Sequence, residues 1–149
     1  MARKADLYAH CLAHTQRTLA ALTTRLESIT EARNSDTKSS AGDKYETGRA
    51  MMQREADTVE RQLAESRAVL ATLQQLDPRQ SHEIARAGSL VHTDKGPYYL
   101  AIGLGKVVLD GKRYYVVSLG SPIGKGLLGK RAGEHFAFGG RTFGVVRVE

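Results

Sequence analysis

Two apolar seams with the same rhythm constrain this chain more than anything else in it. Tyr8, Leu12, Thr15, Leu19, Leu22, Leu26 and Ile29 alternate spacings of four and three residues, and Met52, Ala56, Val59, Leu63, Ser66, Leu70 and Leu73 repeat that alternation. This is the seam of a coiled coil. Paired from the outer ends inward, the position numbers of facing residues total 81 or 82 at every level, from Tyr8 with Leu73 to Ile29 with Met52. Two helices related in that way fold back on each other as an antiparallel hairpin, with its turn near Ser40 and Ala41. At ~1.5 Å per residue, a helix from about Asp6 to Ala32 reaches roughly 40 Å. Such a hairpin holds a few turn residues far from its base.

A hairpin of this length consumes about half of the 149 residues without building a globular core, so the second half must supply one. Residues 1–77 hold 11 Lys/Arg and 11 Asp/Glu, whereas 78–149 hold 11 and 5, so the net charge of +6 belongs to the C-terminal part. That part favours an acidic partner, either nucleic acid or an acidic protein surface; a merely soluble basic domain accounts for the charge equally well. Cys11, the single cysteine, excludes an internal disulfide and reads as a small apolar filler. His10, His14, Gln16 and Arg17 interrupt any signal-peptide core, and no run approaches the roughly 20 apolar residues of a membrane span. The expectation is a soluble cytoplasmic protein.

Glycine marks the boundary between the halves: only Gly42 and Gly48 of the 15 precede residue 78. Asp77-Pro78 stops the second helix, because proline lacks an amide donor and disfavours a helical residue before it. The reading is therefore a hairpin over 1–77, a linker over 78–87 and a second domain over 88–149. Ser89–Thr93, Tyr98–Leu109, Lys112–Ser118 and Arg141–Val148 have strand composition. Asp110-Gly111 is a hairpin-turn signal, and Gly139-Gly140 between Phe136, Phe138 and Phe143 suggests another. Ser121-Pro122-Ile123 offers a helix cap and a first-turn proline, with Leu127 and Leu128 before Gly129. The fold class is α+β, with a helical hairpin followed by a small antiparallel sheet carrying one short helix.

The turn contains Gly42-Asp43-Lys44-Tyr45-Glu46. Asp43 and Glu46, three apart at the start of the second helix, project together from the end of the hairpin. The same spacing is also a capping pattern that satisfies free amides. A long arm ending in small residues and carboxylates has no use for capping alone. Two carboxylates are too few to hold Mg²⁺ tightly, since magnesium sites combine one or two of them with waters and substrate phosphates. The pair acts where another molecule supplies the remaining ligands, as at a two-metal phosphoryl-transfer site.

On these residues the chain resembles the Gre family of bacterial transcription elongation factors, which join a coiled-coil hairpin to an FKBP-like C-terminal domain. Gly42-Asp43-Lys44-Tyr45-Glu46 is similar to the family's G-D-x-x-E tip. Ser121-Pro122-Ile123, Leu127-Leu128-Gly129-Lys130 and Gly133 are similar to its S-P-I-x-x-x-L-x-G-K-x-x-G segment. The resemblance implies a factor that docks on RNA polymerase, threads its arm down the secondary channel and stimulates cleavage of backtracked RNA. Asp43 and Glu46 would then help retain a Mg²⁺ shared with the polymerase and orient water, the factor having no cofactor of its own and being no enzyme by itself. The chain departs from the family after the glutamate, where Thr47, Gly48 and Arg49 replace the usual Asn, Ala and a nearby Tyr. A channel-binding regulator or inhibitor that does not cleave is the alternative.

Arg33, Lys38, Lys44, Arg49 and Arg54 lie within a few turns of the acidic pair and suit RNA phosphates, or else form a solvated surface with local ion pairs. Arg33 and Arg49 also continue the mirrored numbering, which sets two like charges across the seam. Ser121, Pro122, Ile123 and Lys130 are the candidate polymerase contacts of the second domain. A third reading, a coiled coil pairing between chains beside an RNA-binding basic domain, conflicts with the mirrored numbering, which makes a monomer the expectation. Gly124-x-Gly126-x-x-Gly129 spells a dinucleotide fingerprint and Gly124 to Lys130 nearly a P-loop, but no βαβ unit surrounds them, and Arg131 stands where a P-loop needs Ser or Thr. His10 and His14 have helix metal-ligand spacing without further ligands. Tyr98-Tyr99 and Tyr114-Tyr115 place one ring on either face of a sheet, for packing or base stacking.

Overall fold

A computed structural model describes the backbone of residues 4–36 and 43–149 and the side chains of 4–35 and 47–149. Two long helices, α1 (Lys4–Asp36) and α2 (Asp43–Gln74), precede six strands and one short helix. These are β1 (Leu90–Thr93), β2 (Gly96–Ala101), β3 (Gly105–Leu109), β4 (Lys112–Ser118), α3 (Pro122–Leu127), β5 (His135–Phe138) and β6 (Arg141–Val148). The chain divides into two compact units: Met1–Ala13 with Ala71–Glu149, and His14–Leu70.

The unit of residues 14–70 is an antiparallel helical hairpin. Its core joins Ile29, Ala56, Val59 and Leu63 to Leu19, Leu22, Leu26 and Met52, all eight of them seam residues. The helices run in opposite senses, since Arg25 Nη2 meets Glu55 Oε1 at 3.0 Å and, further along α1, Arg33 Nη1 meets Gln53 Oε1 at 2.6 Å. Thr15 is buried and Ser66 half-buried, so the small polar seam positions also face inward. Thr18, Thr23 and Thr30 donate to carbonyls four residues back, which keeps their hydroxyls satisfied on the helix surface.

In the other unit the covered positions of α1 are Leu7 and Cys11, both 0 % exposed, rather than Tyr8 and Leu12, which are half-buried. Here α1 belongs to the unit that holds the sheet, with Cys11 near the buried Tyr99, so a different face of the helix is covered. Burial raises the Cys11 thiol to about 11, which leaves it protonated and inert near neutrality.

The sheet is six-stranded and mixed, in the order β3-β4-β2-β1-β6-β5. The expected antiparallel arrangement holds for four of the five pairings, and β2 runs parallel to β4. The apolar stretch 98–109, expected as one strand, breaks at Ile102-Gly103-Leu104 because β4 inserts between β2 and β3. Both expected two-residue turns are present, with φ of 51° and 75° at Asp110-Gly111 and 60° and 75° at Gly139-Gly140. A third, Asp94-Lys95 between β1 and β2, lacks that composition; Asp94 Oδ1 accepts from Gly144 N at 2.9 Å, and Thr93 Oγ1 accepts from Lys95 N at 3.1 Å. One face of the sheet, with α3, builds a core of Ala85, Val91, Leu100, Leu127 and Val145.

Candidate functional site

The turn end of the hairpin lies between Asp36, where α1 stops, and Asp43, where α2 starts. Asp43, Lys44 and Glu46 occupy the first turn of α2, and a carboxylate is favoured there by the helix dipole. Lys38 and the side chains of Asp43, Lys44 and Glu46 lie outside the described residues. Among the described residues no cluster of three or more His, Cys, Asp or Glu is placed to hold a metal ion. A donor set of one aspartate and one glutamate fits Mg²⁺ only as a partial shell, completed by ligands from elsewhere.

Near the turn the charge of Arg33 is engaged across the hairpin. Arg33 is half-buried and donates to Gln53, which in turn donates from Nε2 to Asp57 Oδ1 at 2.9 Å. Two amide contacts thus link the Arg33 guanidinium to a carboxylate one helical turn further from the tip. Arg49 and Arg54 are exposed on α2.

The second group of candidates is built around α3. Ser121 caps the helix, its Oγ accepting from Gly124 N at 3.1 Å while donating to Ser118 O at 2.7 Å. Pro122 occupies the first turn and is exposed, whereas Ile123 packs on the core. The glycines answer to steric demands of the fold. A Cβ on Gly124 would stand 2.0 Å from Ser118 O, and one on Gly126 would stand 2.6 Å from the Phe136 ring. Gly129 turns the chain with φ of +82°. Of the three glycines that spell a nucleotide fingerprint, Gly124 and Gly126 therefore answer to packing of a six-residue helix against β4 and β5, and Gly129 to the turn that follows it.

Lys130 is half-buried, and its carbonyl accepts from Ala85 N at 2.9 Å while Ala85 O accepts from Gly129 N at 2.8 Å. This pair of bonds ties the 82–86 segment, read from composition as a linker, alongside the end of α3, and Ala85 is buried there. It sets exposed Ile84 and exposed Leu128 on adjoining stretches of chain. Neither residue was legible as a surface feature, because an isolated isoleucine in a polar stretch carries no periodicity.

His82 is buried beside this segment, with Nδ1 2.7 Å from Ser89 Oγ, which also accepts from Arg86 N at 2.9 Å. Desolvation, then Lys4 and Arg86, hold its pKa below the ordinary value, so the ring is neutral. A cleft of about 540 Å³ lies between the start of α1 and the sheet. Its cations are engaged by the protein itself: Arg79 by Asp77, Arg147 by Glu149 and His92, Lys4 by the carbonyl of Gln80, and Lys112 over the Tyr114 ring at 5.6 Å. Burial, the largest influence on Lys4, lowers its pKa.

His10 and His14 lie on α1, half-buried and exposed respectively. Tyr98 and Tyr115 stack at 5.1 Å on one face of the sheet, while Tyr99 and Tyr114 are buried. No helix among the described residues is long and apolar enough to cross a membrane.

No family model matches the chain, and no curated protein matches it in sequence. Among solved structures, that of the transcription factor Gfh1 is similar over 92 % of this chain and 92 % of its own, with 21 % identity and a TM-score of 0.39. So loose an overlay leaves the functional reading to this chain's own residues.

Proposed function

We propose that this chain is a Gre-like factor that enters the secondary channel of RNA polymerase and stimulates cleavage of backtracked RNA, with Asp43 and Glu46 lending carboxylates to the polymerase's Mg²⁺ site. The observation that carries this reading is the antiparallel pairing of α1 and α2, which starts α2 at the turn with Asp43 and places Glu46 in the same helical turn. The protein supplies no metal site of its own. The polymerase and the RNA phosphates complete the coordination shell, and the arm brings negative charge to a centre where it retains the second metal ion and orients the attacking water. Cations at Lys38, Lys44, Arg49 and Arg54 meet RNA phosphates near the tip. The C-terminal domain docks on polymerase through Ser121, Pro122, Ile123 and Lys130, to which the exposed Ile84 and Leu128 add apolar contact. The protein acts as a monomer in the bacterial cytoplasm.

Thr47, Gly48 and Arg49, which depart from the family pattern directly after the acidic pair, favour a second reading: a channel occupant that inhibits or regulates without cleaving. One experiment separates the two. Reconstituted backtracked polymerase is incubated with wild type or with the Asp43→Asn, Glu46→Gln double variant, and RNA cleavage is followed beside the melting curve of each free protein. Cleavage that depends on both carboxylates, with unchanged melting, is the expected result. Equal cleavage by the two proteins rejects the assignment, inhibition of elongation without cleavage selects the second reading, and a lowered melting temperature assigns the pair to capping.

A further inference from the structure

The sheet ends in two edges, β3 and β5, and they are built differently. The β3 edge is guarded by exposed Lys106 on the strand, with Arg113 and Lys112 directly across from Val108 and Leu109. β5 is His135-Phe136-Ala137-Phe138, with no lysine, carboxylate or proline, and it pairs with β6 without a register shift. Three of its four residues are exposed, including Phe138 at 39 %. Sheet proteins ordinarily blunt a free edge with charge, proline or a bulge, because a row of unpaired amides recruits other strands.

The hydrogen bonds fix which groups of β5 face outward. Gly144 stands opposite His135, yet exchanges both of its main-chain bonds with Asp94, as acceptor from Asp94 N at 3.0 Å and as donor to Asp94 Oδ1 at 2.9 Å. Val145 N donates to Glu134 O at 2.8 Å, so it is the even-numbered residues 134, 136 and 138 that bond to β6. The N–H and C=O of His135 and Ala137 therefore point to the open side. Phe136 and Phe138 share one face, both against the Phe143 ring at 5.1 and 6.2 Å, and Arg141 stands across from Phe138 on that same face. Lys125 and Arg131 are exposed on the neighbouring segments. The carboxylate that directly precedes the strand, Glu134, is engaged by Arg131 N at 2.8 Å, and that of Asp94 by Gly144 N on the opposite face from Phe136 and Phe138.

We propose that β5 is a docking edge that takes up an extended, acidic segment of another protein by strand addition, its apolar and acidic residues following one another along the single face that Phe138 and Arg141 share. A second copy of this chain is the wrong occupant, since two such edges would bring their own arginines together in a domain that carries the whole net positive charge. The strand belongs to a different unit of the chain from Asp43 and Glu46, and its use does not depend on RNA cleavage.

The test uses the full chain and two synthetic peptides, acetylated and amidated: Glu-Thr-Val-Thr-Glu-Thr, whose Glu and Val side chains share one face of a strand, and the same peptide with Lys for Glu. The acidic peptide is expected to bind saturably, with Kd on the order of 100 μM, and to shift amide resonances of residues 135–138 and 141. Ala137→Pro removes an outward donor without touching the β6 ladder and should weaken binding about tenfold, while Arg141→Glu should reverse the preference between the peptides. Amide shifts confined to other residues, equal binding of both peptides by wild type, or unchanged affinity in Ala137→Pro overturn the proposal. Self-association that Ala137→Pro abolishes would overturn the choice of occupant.

Discussion

Replacing Gly124 by alanine tests whether the glycine pattern of α3 serves packing. The added Cβ would stand 2.0 Å from Ser118 O, short of an ordinary contact of 3.4 Å by about 1.4 Å, and the obstacle is main chain that cannot rotate away. That carbonyl is also the anchor of the helix cap, accepting from Ser121 Oγ at 2.7 Å and from Ser121 N at 3.2 Å. Moving α3 outward strains a well-packed contact at about 1–3 kcal/mol and loosens a cap worth roughly 1 kcal/mol. Alanine's better helix propensity returns about 1 kcal/mol. The net is a destabilisation of about 1–3 kcal/mol, or a melting temperature lower by roughly 4–12 °C for a chain of this size. Tyr98, Tyr99, Tyr114 and Tyr115 all lie in the sheet, so near-UV circular dichroism follows the melting of this domain. Gly120→Ala is the control, since nothing lies within 4 Å of its Cβ, and it should stay within about 0.5 kcal/mol of wild type. Gly126→Ala should fall between the two, because its obstacle is the half-buried Phe136 ring, which can turn at the expense of its stack on Phe143. If Gly124→Ala melts with Gly120→Ala, the packing account is wrong.

Leu63→Ala removes a 2 %-exposed seam residue and should cost about 2–4 kcal/mol, read as a lower urea midpoint of the far-UV helix signal. Arg25→Ala breaks the ion pair with Glu55, but both side chains are about half exposed, so the loss should stay below about 1 kcal/mol and shrink further in high salt. His82 has a folded pKa below its unfolded value near 6.5, so the unfolded chain binds more protons as pH falls below 6.5 and stability drops with it; urea titrations of His82→Gln should show a flatter pH dependence there than wild type.

Much of this architecture was legible because periodicity survives in sequence. The seam from Leu19 to Met52 appears in the hairpin core residue for residue, since each position faces only the partner helix. Toward the base the seam did not forecast burial on α1, where Leu7 and Cys11 are covered instead, because there the helix belongs to the unit of the sheet. The turns at Asp110-Gly111 and Gly139-Gly140 announced themselves because each needs positive φ at both positions. Asp94-Lys95 did not, because side chains from Thr93 and Asp94 hold that turn through partners as distant as Gly144. The parallel pairing of β2 with β4 was equally hidden, since an unbroken apolar run says nothing about which neighbour each half will choose.

The candidate sites divide along the same line. A pattern in sequence reports a physical need, such as close backbone approach or charge at a helix start, without naming what meets that need. At Gly124 and Gly126 the structure names it: a carbonyl and an aromatic ring of the chain itself, which removes the reason to invoke a nucleotide. At Asp43 and Glu46 the need for negative charge in the first turn of α2 has two suppliers of motive, the free amides of the helix and a metal ion held by a partner. Because capping acts on the free protein and metal binding, in the function proposed, only in the polymerase complex, stability and RNA cleavage respond to the two causes separately. A double variant that melts normally and fails to cleave assigns the carboxylates to the partner's metal, and one that melts early assigns them to the helix.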